Sequence, residues 1–127
     1  MDLRHYITAI KDKLSNSPIV LSFDIIDERV LLSRGYFRAR LTLANTDFLE
    51  IAESFAVHND QLLTLDYRYQ WMDNAKQILK QRWDSVKYFP GLPNFPHHTH
   101  IGSELNVEPG EARNIIEFMK FLESELS

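Results

Sequence analysis

Apolar residues recur at spacings of three and four at both ends of this chain and at spacings of two through its middle. Leu3, Tyr6, Ile7, Ile10 and Leu14 make one helical stripe, which predicts a helix over 2–15 with Asp2 as its cap; Asn16, Ser17 and Pro18 stop it. Residues 19–32 read as one or two strands around an irregular centre. From Tyr36 the period is two: Phe37, Ala39, Leu41 and Leu43 face one way, and Tyr36, Arg38, Arg40 and Thr42 the other. Leu49, Ile51, Phe55 and Val57 mark a further strand over 48–57, and the turn at His58, Asn59 and Asp60 suits a hairpin. Over 61–71, Leu63, Leu65, Tyr67, Tyr69 and Trp71 alternate with Thr64, Asp66, Arg68 and Gln70, and the chain returns through 77–84.

Short turns between successive strands specify antiparallel neighbours, hence a meander. Residues 88–107, punctuated by Pro90, Gly91 and Pro93, read as a long loop. Glu108-Pro109-Gly110-Glu111 then opens a C-terminal helix, with Pro109 in its first turn, whose Ile115, Phe118, Met119, Leu122 and Leu126 would pack on the sheet. The fold class is α+β: an N-terminal helix, a four- to five-stranded antiparallel meander, a long histidine-rich loop and a C-terminal helix, all within one domain over 1–127.

Composition narrows the function. The chain has no cysteine, which removes disulfides, zinc–thiolate sites and a thiol nucleophile and fits a cytosolic protein. No apolar run reaches the length of a membrane span, and the first residues lack a signal-peptide core. Fourteen basic residues against 18 acidic ones give a formal charge of −4, so any grip on nucleic acid must come from a local cluster such as Arg38, Arg40, Arg68, Lys76, Lys80, Arg82 and Lys87.

The densest candidate chemistry is His97-His98-Thr99-His100, three of the five histidines in four positions. An extended backbone points His98 and His100 one way and His97 the other. Paired imidazoles can act as acid and base in transesterification of RNA, or hold a divalent metal at His98 and His100 with Asp84 or Glu104 completing the shell. Adjacent His97 and His98 cannot easily turn to one ion, so the expected cofactor is none. Packing and backbone capping are the plain alternative for each ring.

Arg82-Trp83-Asp84 closes the last predicted strand and feeds the loop. Arg82 is placed to meet phosphate, and Asp84 to orient a histidine or simply to cap the turn. Tyr67, Tyr69 and Trp71 could stack bases, but their alternation continues that of Leu63 and Leu65 and points first to burial under a helix, while Trp71 and Trp83, near strand ends, are expected to be partly exposed. Arg38, Arg40 and Arg68 are expected to meet Glu50 and Asp66 as cross-strand ion pairs.

Together, Tyr67-Arg68-Tyr69-Gln70-Trp71, Arg82-Trp83-Asp84, Phe95-Pro96-His97-His98-Thr99-His100 and Asn106-Val107-Glu108-Pro109 resemble the TumE family, over roughly residues 20–125. The resemblance implies a growth-inhibiting toxin subunit of a bacterial or archaeal toxin–antitoxin pair, with a cognate antitoxin, often a helix-turn-helix protein. The small helix–sheet–helix layout is similar to RelE-like ribonuclease toxins, which would make RNA the substrate.

The leading expectation is therefore metal-independent RNA cleavage. His97, His98 and His100 form the acid–base pool, Asp84 orients a histidine, and Arg82, Trp83, Tyr67, Tyr69 and Trp71 contact substrate. The alternative is a non-catalytic binding protein whose histidine loop and aromatic sheet form a partner or metal site. A homodimer through an exposed sheet edge is a further expectation.

Overall fold

The computed structural model describes residues 2–87 and 91–126; Pro90, one of the expected loop breakers, lies outside the described residues. Helix α1 spans Leu3–Asn16, and the strands are β1 (Val20–Val30), β2 (Arg34–Leu43), β3 (Phe48–His58), β4 (Gln61–Met72), β5 (Leu79–Asp84), β6 (His98–Ile101) and β7 (Val107–Pro109). Helix α2 spans Ile115–Leu126. The strands form one antiparallel sheet in chain order, β1 to β7. The meander expected from the turns is there, with seven strands rather than four or five.

Both helices cover one face of the sheet. Leu3, Tyr6, Ile7, Ile10 and Leu14 of α1 and Ile115, Phe118, Met119 and Leu122 of α2 are buried against Phe37, Ala39, Leu41, Leu43, Leu49, Ile51 and Phe55. Each large apolar side chain buried this way contributes about 1.5–3 kcal/mol. Asp2 caps α1 as expected, accepting from the His5 amide at 2.8 Å. The other face of the sheet is uncovered by helices, and Arg38, Arg40, Arg68, Arg82, Asp84, His98 and His100 stand on it.

Three further expectations are corrected. The histidine run is not a loop: His98–Ile101 pairs with β5, and β7 pairs with β6 in turn. These two short strands carry no apolar alternation, and Pro109 sits at the end of an edge strand, where its missing N–H costs no ladder bond. Accordingly Pro109 does not open the C-terminal helix, which begins at Ile115. Its cap is Asn114, whose Oδ1 accepts from the Glu117 amide at 2.8 Å while Glu117 Oε1 accepts from the Asn114 amide at 2.9 Å. That reciprocal pair is a capping box.

The alternation over 61–71 breaks in the middle. Asp66 faces Ser54 but Thr64 faces Phe55, so Leu65 is an extra residue in β4. A bulge of this kind exchanges the faces of the residues before it. Tyr67 and Tyr69 are buried, whereas Leu63 and Leu65 are exposed. The expectation for residues 19–32 holds: they contain one strand, β1 over Val20–Val30, with register shifts between Val20 and Ser22 and between Ile25 and Asp27.

Candidate functional site

Strand register sets the site. On the open face, Arg38 (β2), Ala52 (β3), Arg68 (β4), Asp84 (β5) and His98 (β6) are successive cross-strand partners in one row. The next row runs Arg40, Glu50, Gln70, Arg82 and His100. Five strands thus deliver ten side chains to two adjacent lines, with the histidines at one end and the arginines of β2 at the other.

At the histidine end, Asp84, His98 and His100 converge and are 3%, 2% and 4% exposed. His98 Nε2 lies 2.7 Å from Asp84 Oδ1, and His100 Nε2 lies 3.7 Å from Asp84 Oδ2. The opposite ring atoms reach backbone carbonyls: His98 Nδ1 is 3.0 Å from Pro96 O and His100 Nδ1 2.9 Å from Glu104 O. A carbonyl only accepts, so Nδ1 carries the hydrogen in both rings and Nε2 faces the carboxylate. Burial, with the nearby Arg82 charge adding to it, holds His100 below the ordinary histidine range despite its carbonyl partner.

Arg82 organises the floor. Its Nε donates to Asp84 Oδ2 at 3.2 Å, and its Nη1 donates to Gln70 Oε1 at 3.2 Å and to Glu104 Oε1 at 2.6 Å. The Val86 amide donates to Asp84 Oδ1 at 3.0 Å, so the carboxylate is fixed from two sides. A cleft of about 500 Å³ opens over Arg82, Asp84, His98 and His100. It shares Arg68 and Val86 with a groove of about 730 Å³ that continues over Arg38 and Lys87.

The remaining sequence candidates lie on the other side. Trp83 alternates away from Arg82 and Asp84 and meets the Phe118 ring edge-on at 4.9 Å. Tyr69 stacks on Phe118 at 4.3 Å and on Tyr67 at 5.0 Å, and its hydroxyl donates to Arg113 O at 2.7 Å. Tyr67 and Tyr69 are buried in the core, as the alternation favoured, and Trp83, expected to be partly exposed near its strand end, is buried with them, so these rings do not form a stacking platform. Trp71 is half-buried, with Nε1 donating to Asp47 Oδ2 at 2.9 Å. His97 also faces the helices: its Nδ1 is 2.9 Å from the Tyr67 hydroxyl and the two rings stack at 5.7 Å. Burial pushes the Tyr67 hydroxyl up to about 12, with the Asp84 charge adding to it. The structure therefore brings Asp84, Arg82, His98 and His100 together and leaves His97 out.

Gln70 and the carbonyls of Pro96 and Glu104 were not singled out from the sequence. Gln70 alternates with Arg68, but only the β4–β5 register shows that it faces Arg82. Of the arginines, Arg38 and Arg40 meet Glu50 at 3.1 and 3.0 Å as expected, while Arg68 bonds Gln70 at 2.8 Å instead of an acid.

The chain matches the family model for the toxin TumE over residues 9–126. It belongs to that family. No curated protein and no solved structure matches the chain. TumE membership makes it a toxin component and implies an antitoxin as its partner. Among the described residues, no helix is long and apolar enough to cross a membrane.

Proposed function

We propose that this TumE-family toxin arrests growth by cleaving RNA at the Asp84–His98–His100 cluster, with Arg82 as the phosphate contact. The observation that carries the reading is the pair of ladder rows that sets two imidazoles, a carboxylate and a guanidinium around one open cleft. RNA supplies its own nucleophile. The 2′-oxygen bonds to the adjacent phosphorus, the bond from phosphorus to the 5′-oxygen breaks, and a cyclic phosphate and a 5′-hydroxyl result. One proton must leave the 2′-oxygen and one must reach the 5′-oxygen. The cluster suits that exchange, and Arg82 suits the charge that builds on the phosphoryl oxygens. In the metal-free form expected from the sequence, the histidines would accept the first proton and supply the second.

The groove beside the cleft supports a single-stranded substrate. Arg38 and Arg68 stand two strands apart, about 10 Å, and Arg68 is two strands from His98. An extended strand crossing the sheet would meet them in turn. A purely binding protein would instead offer an exposed Tyr67–Trp71 stripe and no histidine cleft. Here Tyr67 and Tyr69 are buried and the histidines line a cleft, which favours chemistry.

The test is induced expression of the wild type and of a His98→Ala/His100→Ala variant, with growth, total RNA integrity and circular dichroism followed together. Arrest with RNA loss in the wild type alone is expected. Arrest without RNA loss removes the ribonuclease and leaves the toxin. Equal RNA loss with the folded double variant removes the cluster as the site.

A further inference from the structure

We propose that Asp84, His98 and His100 form an open binding site for one divalent transition-metal ion of the zinc or manganese class. The three candidate ligand atoms all lie within 4.8 Å of one another, and all three residues are buried. Around a tetrahedral ion with bonds near 2.1 Å, neighbouring donors stand about 3.4 Å apart. His98 Nε2 lies 2.7 Å from Asp84 Oδ1 and His100 Nε2 3.7 Å from Oδ2, so side-chain rotations would bring the three donors to that spacing.

The hydrogen on each ring is already committed. Both Nδ1 atoms face backbone carbonyls, so a neutral ring turns a lone pair toward an acceptor-only carboxylate. Three donor groups that meet in this way suit a shared positive charge. A proton can serve at His98, where the gap is short. A divalent cation serves all three groups at once. A ligating histidine whose other nitrogen donates to a backbone carbonyl is the usual support for such an ion, because it fixes tautomer and ring orientation.

The donor set also selects the ion. Two imidazoles and one carboxylate suit zinc, manganese and their neighbours, whereas magnesium and calcium prefer all-oxygen shells. Three protein ligands leave coordination positions facing the cleft of about 500 Å³, the arrangement of a catalytic site rather than a closed structural one. Arg82 bonds Asp84 at 3.2 Å and opposes a cation electrostatically, but Glu104 at 2.6 Å from Arg82 offsets its charge. As the cofactor of cleavage, the ion rests on the reading above: held by Asp84, His98 and His100, it would supply positive charge to the phosphoryl oxygens of a bound RNA. As a binding site it is tested without RNA.

Tag-free, chelator-stripped protein is titrated with zinc chloride and with manganese chloride by calorimetry, beside His98→Gln, His100→Gln and His97→Gln variants whose apo folding is checked by circular dichroism. One ion per chain is expected for the wild type and for His97→Gln. Affinity should fall by at least about 100-fold in each of the other two. An independent readout needs no variant: zinc at 100-fold above its Kd should raise the wild-type Tm by about 10 °C. No saturable binding and no Tm rise overturn the proposal, as does unchanged affinity in folded His98→Gln and His100→Gln. RNA cleavage that persists in strong chelator, in a protein that binds no ion, leaves the metal-free pair standing. One-to-one binding without RNA cleavage removes the ribonuclease alone.

Discussion

Asp84 and His98 are direct register partners on β5 and β6, and their side chains leave the same face of the sheet to meet at 2.7 Å. The contact therefore depends on β6 pairing in this register and no other. A slip of β6 by one residue would turn His98 and His100 toward the aromatic rings under α2 and put Thr99 on the open face. Thr99 and Trp83, the alternate pair of the same ladder, hold that register from the core side. The chemistry of the site and the packing of α2 are two faces of one strand pairing.

Glu53 is the buried acid that the sequence pattern overlooked, and it makes stability depend on pH. It is fully buried, accepting from the Tyr6 hydroxyl, from Thr64 Oγ1 at 2.7 Å and from the Ile115 amide at 3.0 Å, so it joins α1, β3, β4 and α2. Burial raises its carboxyl above the ordinary 4.5. A carboxyl that keeps its proton longer in the folded than in the unfolded chain contributes stability that is complete below the unfolded value. That contribution is lost as pH rises through the folded one. Relative to Glu53→Gln, the wild type should lose stability from about pH 4.5 upward. Denaturant melts of both proteins across that range check it, and parallel curves would mean that Glu53 does not titrate so. Glu53→Leu strands the three donors and should cost about 3–5 kcal/mol.

Tyr69 tests whether the aromatic stripe packs or binds. Tyr69→Phe keeps the stacking on Phe118 and removes only the hydrogen bond to Arg113 O. A loss of about 1 kcal/mol is expected in a urea melt, with affinity for single-stranded RNA unchanged. Tyr69→Ala empties a fully buried site and should cost about 3–5 kcal/mol. A stable Tyr69→Phe protein with weakened RNA binding would restore the ring to the substrate surface.

Much of this layout was legible because period and turn chemistry are local. The α1 stripe, the meander and the inward Phe37–Leu43 face were read from spacing alone. Leu65 was misread because a bulge leaves no mark on alternation: Leu63 and Leu65 look like inward residues until the register with Ser54 and Phe55 is known. His98 and His100 were rightly grouped on one side, but a short polar strand has no hydrophobic signal, so β6 read as loop. The Asn114–Glu117 capping box was present in the sequence and outweighed by Pro109, which suits an edge strand as well as a helix start. The convergence of Asp84, Arg82 and Gln70 on the histidines depends on pairing across strands, which no local pattern encodes.

Arg68 stands where the cleft and the groove join, exposed and bonded to the Gln70 amide rather than to an acid. Its charge is thus not already committed to a carboxylate, unlike that of Arg38 or Arg40, both held by Glu50. If RNA crosses the sheet to reach His98, Arg68 is the cation nearest the reacting phosphate after Arg82. Removing a charge-assisted contact of this kind costs about 1.5–3 kcal/mol, so Arg68→Ala should slow cleavage of a single-stranded RNA at least about tenfold. Each phosphate contact also releases counterions, and the slope of log affinity against log salt should shrink by about 0.7. As a surface change it should move stability by no more than about 0.5 kcal/mol. Binding isotherms at several salt concentrations, read beside cleavage rates and melts, separate these effects. An unchanged slope and rate would take the groove off the substrate's path and leave the cleft to act on RNA arriving from the β7 side.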